Sequence, residues 1–167
     1  MKIAMIQDRV IIIMGSSSDE EFTRPIRSTL KKLGIPYELR VFSAHKTPYK
    51  LLGLLEKYES AGDRLVVITV AGRSNALSGF VDANTPYPVI ACPPQSEKFT
   101  LVDVYSSLRM PSSVSPMVVL EPENAALAAA KILALSNPEI NKKVLSYQTD
   151  AKNKISLDDE KLRKNGD

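Results

Sequence analysis

The sequence predicts an α/β fold, a three-layer αβα sandwich whose central parallel sheet has about five strands. Short β-branched apolar runs alternate with longer segments in which apolar residues recur every three or four positions. The short runs are apolar on both faces, as expected for strands that helices cover on both sides. With 167 residues, 44% of them hydrophobic, the chain is long enough for one core. This alternation is typical of flavodoxin-like and Rossmann-like domains with right-handed crossovers.

The first unit consists of a strand predicted at residues 10–14 and a helix predicted over residues 19–33. The apolar residues of this helix lie on one face: Phe22, Ile26, Leu30 and Leu33. Gly34 follows directly and ends the helix.

The later elements continue the alternation of strand and helix. Strands are predicted at residues 37–42, 65–70, 88–91 and 117–120. Helices are predicted at residues 48–59, 76–81, 101–108 and 123–135, and Pro138 marks a break before a further helix. The helix at 123–135 contains six alanines, which suit close packing of helices.

Residues 1–140 are expected to form one domain, and residues 141–167 a C-terminal helical arm. Apolar residues are sparse in the arm: Val144, Leu145, Tyr147, Ile155, Leu157 and Leu162. Such a segment gains stability only by packing on something else. We therefore expect the arm to lie on a neighbouring subunit of a homo-oligomer.

Composition argues against several classes of protein. The formal net charge is +3, of which residues 141–167 supply +2 (seven Lys or Arg against five Asp or Glu), so no dense basic face is left for nucleic acid. No stretch approaches the ~20 apolar residues of a membrane span, and residues 1–9 lack the features of a secretory signal. A single cysteine and a single histidine are too few for an ordinary zinc site. We expect a cytoplasmic protein that binds neither membrane nor metal.

The loop after the first strand combines a glycine, hydroxyls and a carboxylate. Ligands of open α/β sheets bind beyond the carboxyl ends of the strands, where this loop lies. Gly15 permits a tight turn, and Ser16, Ser18 and Asp19 follow it. Backbone N–H groups and the dipole at such a helix start bind phosphate. In the alternative interpretation, Ser18 or Asp19 only caps the helix.

The loop after the second strand contains Ser43, His45 and Lys46. Its imidazole, the only one in the chain, suits a general acid or base near neutral pH. The alternative is a histidine that caps a helix or is satisfied in the core, beside a solvated lysine.

The loop after the third strand contains Gly72, Arg73, Ser74 and Asn75. The glycine lets the backbone approach a ligand, and the three side chains offer polar groups to a planar ring or a carboxylate. Taken together, successive strand ends with glycine, hydroxyl and charged residues predict a site for a small molecule that bears phosphate.

The loop after the fourth strand, Cys92-Pro93-Pro94-Gln95-Ser96, is stiff and is predicted to form a wall of the pocket. Cys92 is expected to be an inert, packed thiol, because a nucleophilic thiolate needs an activating base and His45 is the only imidazole.

Five motifs occur in the order seen in the family that carboxylates 5-aminoimidazole ribonucleotide (AIR) in purine synthesis. They are Gly15-Ser16-Ser17-Ser18-Asp19, Ser43-Ala44-His45-Lys46, Ala71-Gly72-Arg73-Ser74-Asn75, Cys92-Pro93-Pro94 and Ser106-Ser107-Leu108-Arg109-Met110-Pro111. Over residues 10–135 the chain resembles this AIR carboxylase (PurE-type) family.

The family has two branches. A bacterial and plant mutase rearranges N5-carboxyaminoimidazole ribonucleotide, whereas a class II branch, similar to the animal carboxylase domain, uses CO2 directly. The mutase typically has an arginine where this chain has Lys46 and a second histidine where this chain has Ala76. The chain resembles the class II branch, in which His45 alone would transfer the proton.

The resemblance implies a role for each loop. Ser16, Ser43 and Lys46 would hold the phosphate and Asp19 the ribose hydroxyls, with Ser18 as a further substrate-binding candidate. The loop of residues 72–75 would bind the aminoimidazole and the incoming carboxylate. Residues 105–113 would be a flap over the substrate, for which the alternative is an ordinary surface connection. The subunits would form an octamer or a tetramer.

The implied reaction needs no cofactor, neither biotin, ATP nor metal. The 5-amino group of AIR pushes electron density onto C4, which attacks CO2, and the C4 proton must then leave. His45 would remove it, while Arg73 or nearby N–H groups stabilise the new carboxylate.

Two other interpretations of the sequence stay open. One is a non-catalytic module that binds a phosphosugar or flavin mononucleotide on the same fold. The other is the mutase activity of the same family.

Overall fold

The computed structural model describes residues 6–94 and 102–164. Within them, five parallel strands form one sheet in the order β2-β1-β3-β4-β5. The strands are β1 (Asp8–Met14), β2 (Tyr37–Val41), β3 (Arg64–Val70), β4 (Val89–Ala91) and β5 (Met117–Val118). The helices are α1 (Arg24–Lys32), α2 (Pro48–Ala61), α3 (Ala76–Asp82), α4 (Val102–Leu108), α5 (Pro122–Ala134) and α6 (Pro138–Lys164). Gln95, Ser96 and Leu101, which belong to predicted segments, lie outside the described residues.

The three layers follow from the alternation of side chains along the central strands. On β1, Val10, Ile12 and Met14 pack in one core with α1, α5 and α6. Ile11 and Ile13 face the opposite core, which α2 and α3 cover. All five side chains are at most 4% exposed, as expected for a strand with helices on both faces. The predicted three-layer α/β sandwich is confirmed.

The helix predicted over residues 19–33 is wrong in its first part. Two short 3₁₀ turns, Ser17–Asp19 and Glu21–Thr23, precede α1, which begins at Arg24. Pro25 lies in the first turn of α1, where its missing N–H is not needed and its fixed φ favours the helix. Pro25 therefore determines where the α-helix begins, and the segment before it is left to tighter turns.

α6 is one continuous helix of 27 residues, about 40 Å long, so the predicted boundary between residues 140 and 141 falls inside it. Its buried residues are Ile140 and Val144, which join the core beside α5. Asn137 anchors its start, since Oδ1 accepts from the N–H groups of Glu139 and Ile140 at 3.0 and 3.2 Å. Among the described helices, this one included, none has the length and apolar character that crossing a membrane requires.

Paired charges hold the amino end of the sheet together. Arg64 of β3 donates two hydrogen bonds to the Asp8 carboxylate of β1, at 2.6 and 2.8 Å, and Asn137 donates a third. Burial alone would raise the pKa of Asp8, but these hydrogen bonds and the Arg64 charge outweigh it and hold that pKa below its ordinary value. Arg9 pairs with Asp63 at 2.9 Å. The Asp8 carboxylate at this end of the sheet is thus fully paired within the protein.

Candidate active site

A cleft of about 550 Å³ opens at the carboxyl ends of β1, β2 and β3. This is where the strand order changes direction, the usual ligand crevice of open α/β sheets. All the site residues predicted from the sequence line it: Ser16, Ser18, Asp19, Ser43, His45, Lys46, Gly72, Arg73, Ser74 and Asn75.

Gly15 brings the loops after β1 and β3 into contact. A Cβ at this position would lie 3.1 Å from the Cβ of Ala71, which is tighter than ordinary packing. The Gly15 N–H also donates to the Val70 carbonyl at 2.8 Å. A larger side chain would push these two loops apart, so this glycine fixes the width of the cleft.

Ser16 and Asp19 form a capping box after β1. The Ser16 Oγ accepts from the N–H and the hydroxyl of Ser18, at 3.3 and 2.9 Å, and the Asp19 carboxylate accepts the Ser16 N–H at 3.2 Å. The cap is therefore Ser16, not Ser18 or Asp19. The expectation that a helix dipole at this position binds phosphate is wrong, because the element that Ser16 caps is a 3₁₀ turn of only three residues.

Asp19 is half-buried at the edge of the cleft. Burial raises the pKa of its carboxyl group above the ordinary value, although the Ser16 N–H and the charge of Arg73 act in the opposite direction. Asp19 is thus a carboxylate whose ionised form lacks full compensation by its protein neighbours.

The turn from Ser43 to Thr47 is closed by its own hydrogen bonds. The Ser43 Oγ accepts the Lys46 N–H at 3.2 Å, and the Ser43 carbonyl accepts the Thr47 N–H at 2.9 Å. The side chains of His45 and Lys46 are exposed at the tip of this turn, and the N-cap residue of α2 is Thr47. The alternative of a core or capping histidine is therefore wrong.

The loop of residues 72–75 has a strained backbone. Arg73 and Asn75 have φ angles of 58° and 31°, in the left-handed region, which costs about 1–3 kcal/mol for a residue other than glycine. Contacts hold it there: the Arg73 N–H donates to the Asp103 carboxylate at 2.9 Å, and the Asn75 side-chain amide donates to Ser107. Such strain is characteristic of sites where the backbone geometry has a use.

Sequence reasoning missed Asp103, which lines the cleft from the first turn of α4. The motif at residues 106–111 points to this segment, but its pattern does not include the carboxylate. α4 includes residues 105–108 of the predicted flap. Further along this segment, the Met110 sulfur lies 3.0 Å from the position that a Cβ on Gly79 would occupy. Movement of residues 105–113 stays a prediction.

The loop after β4 contributes Pro94 to the wall of the cleft. Cys92 is fully buried, and burial, with the charges of Glu121 and Glu123, raises the pKa of its thiol to about 12. A thiol of that kind stays protonated at neutral pH, which confirms the expectation that Cys92 is packed and inert.

The charged groups of the cleft are available to a ligand because the protein does not neutralise them in ion pairs. Within the described ranges, no ion pair involves Lys46, Arg73, His45 or the two cleft carboxylates. Serine hydroxyls beside an ammonium group suit a phosphate, an exposed imidazole suits proton transfer, and a guanidinium suits a carboxylate.

Comparison with known proteins agrees with this geometry. A family described as AIRC, AIR carboxylase, matches residues 9–154. A phosphoribosylaminoimidazole carboxylase from Archaeoglobus fulgidus is 53% identical over 93% of this chain and 85% of its own length. One from Treponema denticola is 52% identical over 93% of this chain and 98% of its own length.

Two further relatives extend the comparison. The bifunctional phosphoribosylaminoimidazole carboxylase/phosphoribosylaminoimidazole succinocarboxamide synthetase of Homo sapiens is 47% identical over 78% of this chain, which matches 31% of that protein. The crystal structure of Treponema denticola PurE superposes with a TM-score of 0.91, at 51% identity, over 93% of this chain and 99% of that one.

Proposed function

This chain belongs to the AIR carboxylase family, and on that basis we propose that it carboxylates AIR with CO2 in purine (IMP) biosynthesis. The product is 4-carboxy-AIR (CAIR), the reaction is reversible, and it needs neither ATP, biotin nor metal. The proposal includes a cytoplasmic location, as expected from the sequence.

The observation that carries this proposal is the convergence of three strand-end loops, each with a family motif, on one cleft. Ser16, Ser43 and Lys46 supply hydroxyls and a positive charge for the substrate phosphate. Asp19 accepts hydrogen bonds from the ribose hydroxyls, and this contact also supplies the compensation that its ionised carboxylate lacks in the free protein. The aminoimidazole then lies toward the loop of residues 72–75.

The chemical step replaces the C4–H bond of AIR with a bond from C4 to the carbon of CO2. The electron pair at C4 of AIR, made nucleophilic by the 5-amino group, attacks the carbon of CO2, and a carboxylate forms. The C4–H bond then breaks, its electron pair restores the aromatic ring, and His45 accepts the proton. The Arg73 guanidinium stabilises the negative charge as it develops on the carboxylate. In the reverse direction, His45 returns the proton and CO2 leaves.

We assign the chain to the class II branch, which uses CO2 directly. Lys46 and Ala76 replace the arginine and the second histidine that are typical of the mutase. With a single imidazole, the cleft has one group suited to proton transfer near neutral pH.

We further propose that the protein is a homo-oligomer in which α6 packs on a neighbouring subunit. Beyond Val144, the larger apolar side chains of this helix are exposed: Leu145 57%, Ile155 70%, Leu157 54% and Leu162 74%. A single exposed apolar residue is normal, but four of them on one helix, of which Ile155 and Leu162 share a face, support a surface that is covered in the assembly. Ile155→Asp is expected to shift sedimentation equilibrium toward smaller species.

The proposed reaction is tested by steady-state assays without ATP, in which AIR with CO2 and N5-carboxyaminoimidazole ribonucleotide are offered to the same enzyme in parallel. Formation of CAIR from AIR at a rate that rises with dissolved CO2 is the expected result. Turnover of the N5-carboxy compound alone would identify a mutase. No turnover of either compound, despite binding, would favour a non-catalytic module, and a yellow colour of the purified protein would indicate flavin.

A further inference from the structure

The left-handed backbone of Arg73 is hydrogen-bonded to a side chain from another part of the chain. Arg73 has a φ of 58°, a conformation that an arginine leaves unless contacts hold it. The contact that fixes its N–H is the Asp103 Oδ2, at 2.9 Å, from the first turn of α4. An N–H that donates to a carboxylate makes a stronger bond than one to a neutral oxygen.

The other contacts of α4 with this residue are weaker. The Ser106 hydroxyl lies 3.5 Å from the Arg73 carbonyl, at the limit of a hydrogen bond, and makes its shorter bond of 2.8 Å to the Asp103 carbonyl. The turn around Arg73 is also closed by the Asn75 N–H, which donates to the Gly72 carbonyl at 3.2 Å. Among the described side chains, Asp103 makes the shortest hydrogen bond to the Arg73 backbone.

The direction of the backbone determines where the guanidinium lies. Arg73 and Asp19, which belongs to the loop after β1, both line the cleft. The charge of Arg73 lowers the pKa of the Asp19 carboxyl group, so the guanidinium is near enough to act on it electrostatically. If φ at Arg73 became negative, the side chain would leave the strand-end loop in another direction. Because the Arg73 N–H is already bound to Asp103, the guanidinium holds the donors that this residue can still offer to a substrate.

We propose that Asp103 is a positioning residue for the carboxylation: its carboxylate holds Arg73 in the left-handed conformation and thereby aims the guanidinium at the carboxylate that forms on the substrate. This inference rests on the proposed carboxylase function. Asp103 contributes an acceptor for one N–H group and does not itself touch the reacting atoms.

The test compares Asp103→Ala, Asp103→Asn, Arg73→Ala and the Asp103→Ala/Arg73→Ala double variant in the CO2-dependent assay. Misplacement of a catalytic group by about 1 Å costs on the order of 100-fold, so Asp103→Ala is expected to lower kcat by about that factor. The KM for AIR is expected to change little, because Ser16, Ser43 and Lys46 hold the phosphate. Asp103→Asn keeps an oxygen that accepts the Arg73 N–H and is expected to retain kcat within about threefold.

The double variant separates positioning from an independent role. If Asp103 acts through Arg73, the double variant is no slower than Arg73→Ala alone. Multiplied losses in the double variant, an Asp103→Asn variant as slow as Asp103→Ala, or full activity of Asp103→Ala would each overturn the inference.

Asp82→Ala is the matched control. Its carboxylate accepts the Ser115 N–H at 2.7 Å, the same type of bond, but Asp82 is not among the residues that line the cleft. This control is expected to keep kcat. The unsubstituted enzyme is assayed first: no turnover of AIR by that enzyme contradicts the proposed function, whereas an active enzyme that Asp103→Ala leaves unchanged contradicts only the role of Asp103.

Discussion

The two ends of the sheet use charge in opposite ways. At the amino end, Arg64 and Asn137 saturate the Asp8 carboxylate, whose side chain is only 7% exposed. At the carboxyl end, the described side chains of His45 and Lys46 have no ion-pair partner and are exposed. One end stabilises the fold, and the other is left ready for a ligand.

Two aspartates show this difference most clearly. The pKa of Asp8 is lowered, because its hydrogen bonds and the Arg64 charge outweigh burial. The pKa of Asp19 is raised, because burial outweighs the Ser16 N–H and the Arg73 charge. A buried carboxylate whose ionised form is disfavoured costs stability, and proteins retain such groups mainly where function requires them. We therefore expect that residues of the cleft serve activity and lower the stability of the fold.

The largest expected effect is on activity, at the carboxyl end. His45→Gln is expected to lower kcat by about 10³-fold, within the usual contribution of a general acid or base. AIR binding and the midpoint of thermal unfolding should stay unchanged, because His45 is exposed. Calorimetric titration with AIR and a kinetic assay measure both quantities, and turnover close to that of the unsubstituted enzyme would refute the role of His45.

The next effect is on stability, at the amino end. Asp8→Ala removes three hydrogen bonds from a charged acceptor and is expected to lower the free energy of unfolding by about 2 kcal/mol. Urea unfolding measures this, and kcat should not change. Glu139→Ala is the control, since its ion pair with Lys142 is largely exposed and should contribute little. If Asp8→Ala lowered kcat without lowering the free energy of unfolding, the proposal that the amino end serves stability and the carboxyl end serves activity would be contradicted.

A smaller effect is expected on substrate affinity. Lys46→Ala is expected to raise the KM for AIR about tenfold and to make KM less sensitive to salt, because a charge on the phosphate is lost. Lys50→Ala is the control, since Lys50 is exposed on α2 and does not line the cleft. Equal changes in the two variants would indicate a general effect of charge and not a phosphate contact.

The smallest effect concerns pH. The ionised Asp8 stabilises the fold at every pH above 3.8, and this contribution is lost as pH falls through its lower folded-state pKa. The ionised Asp19 destabilises the fold above its raised folded-state pKa, and this cost is gone below 3.8. At pH 7, Asp8→Asn should be less stable than the unsubstituted protein, and Asp19→Asn more stable.

Urea unfolding between pH 7 and pH 3 follows both differences. On acidification the Asp19→Asn difference is expected to shrink first, because the folded-state pKa of Asp19 is the higher of the two. If Asp8→Asn and Asp19→Asn changed the free energy of unfolding in the same direction at pH 7, the opposite roles of the two carboxylates would be contradicted.

The sequence contains enough information for the sheet and for most of the cleft. β1 and β3 are short, β-branched and apolar on both faces, a pattern typical of a parallel strand that helices cover. The loops that follow such strands lie at the ligand-binding edge of the sheet, so the position of the cleft follows from the strands. The start of α1 was missed because a capping box and Pro25 together decide between a 3₁₀ turn and an α-helix. Asp103 was missed because its partner, the Arg73 N–H, is a backbone group thirty residues earlier. Contacts of that kind depend on packing and have no local pattern.

The most direct test of the central claim is the rate of AIR carboxylation in the first seconds after addition of either dissolved CO2 or bicarbonate, without ATP and without carbonic anhydrase. Direct attack of C4 on CO2 predicts an immediate full rate with CO2 and a lag with bicarbonate while CO2 forms. An immediate rate with bicarbonate, or no rate with either until ATP is added, would contradict the account.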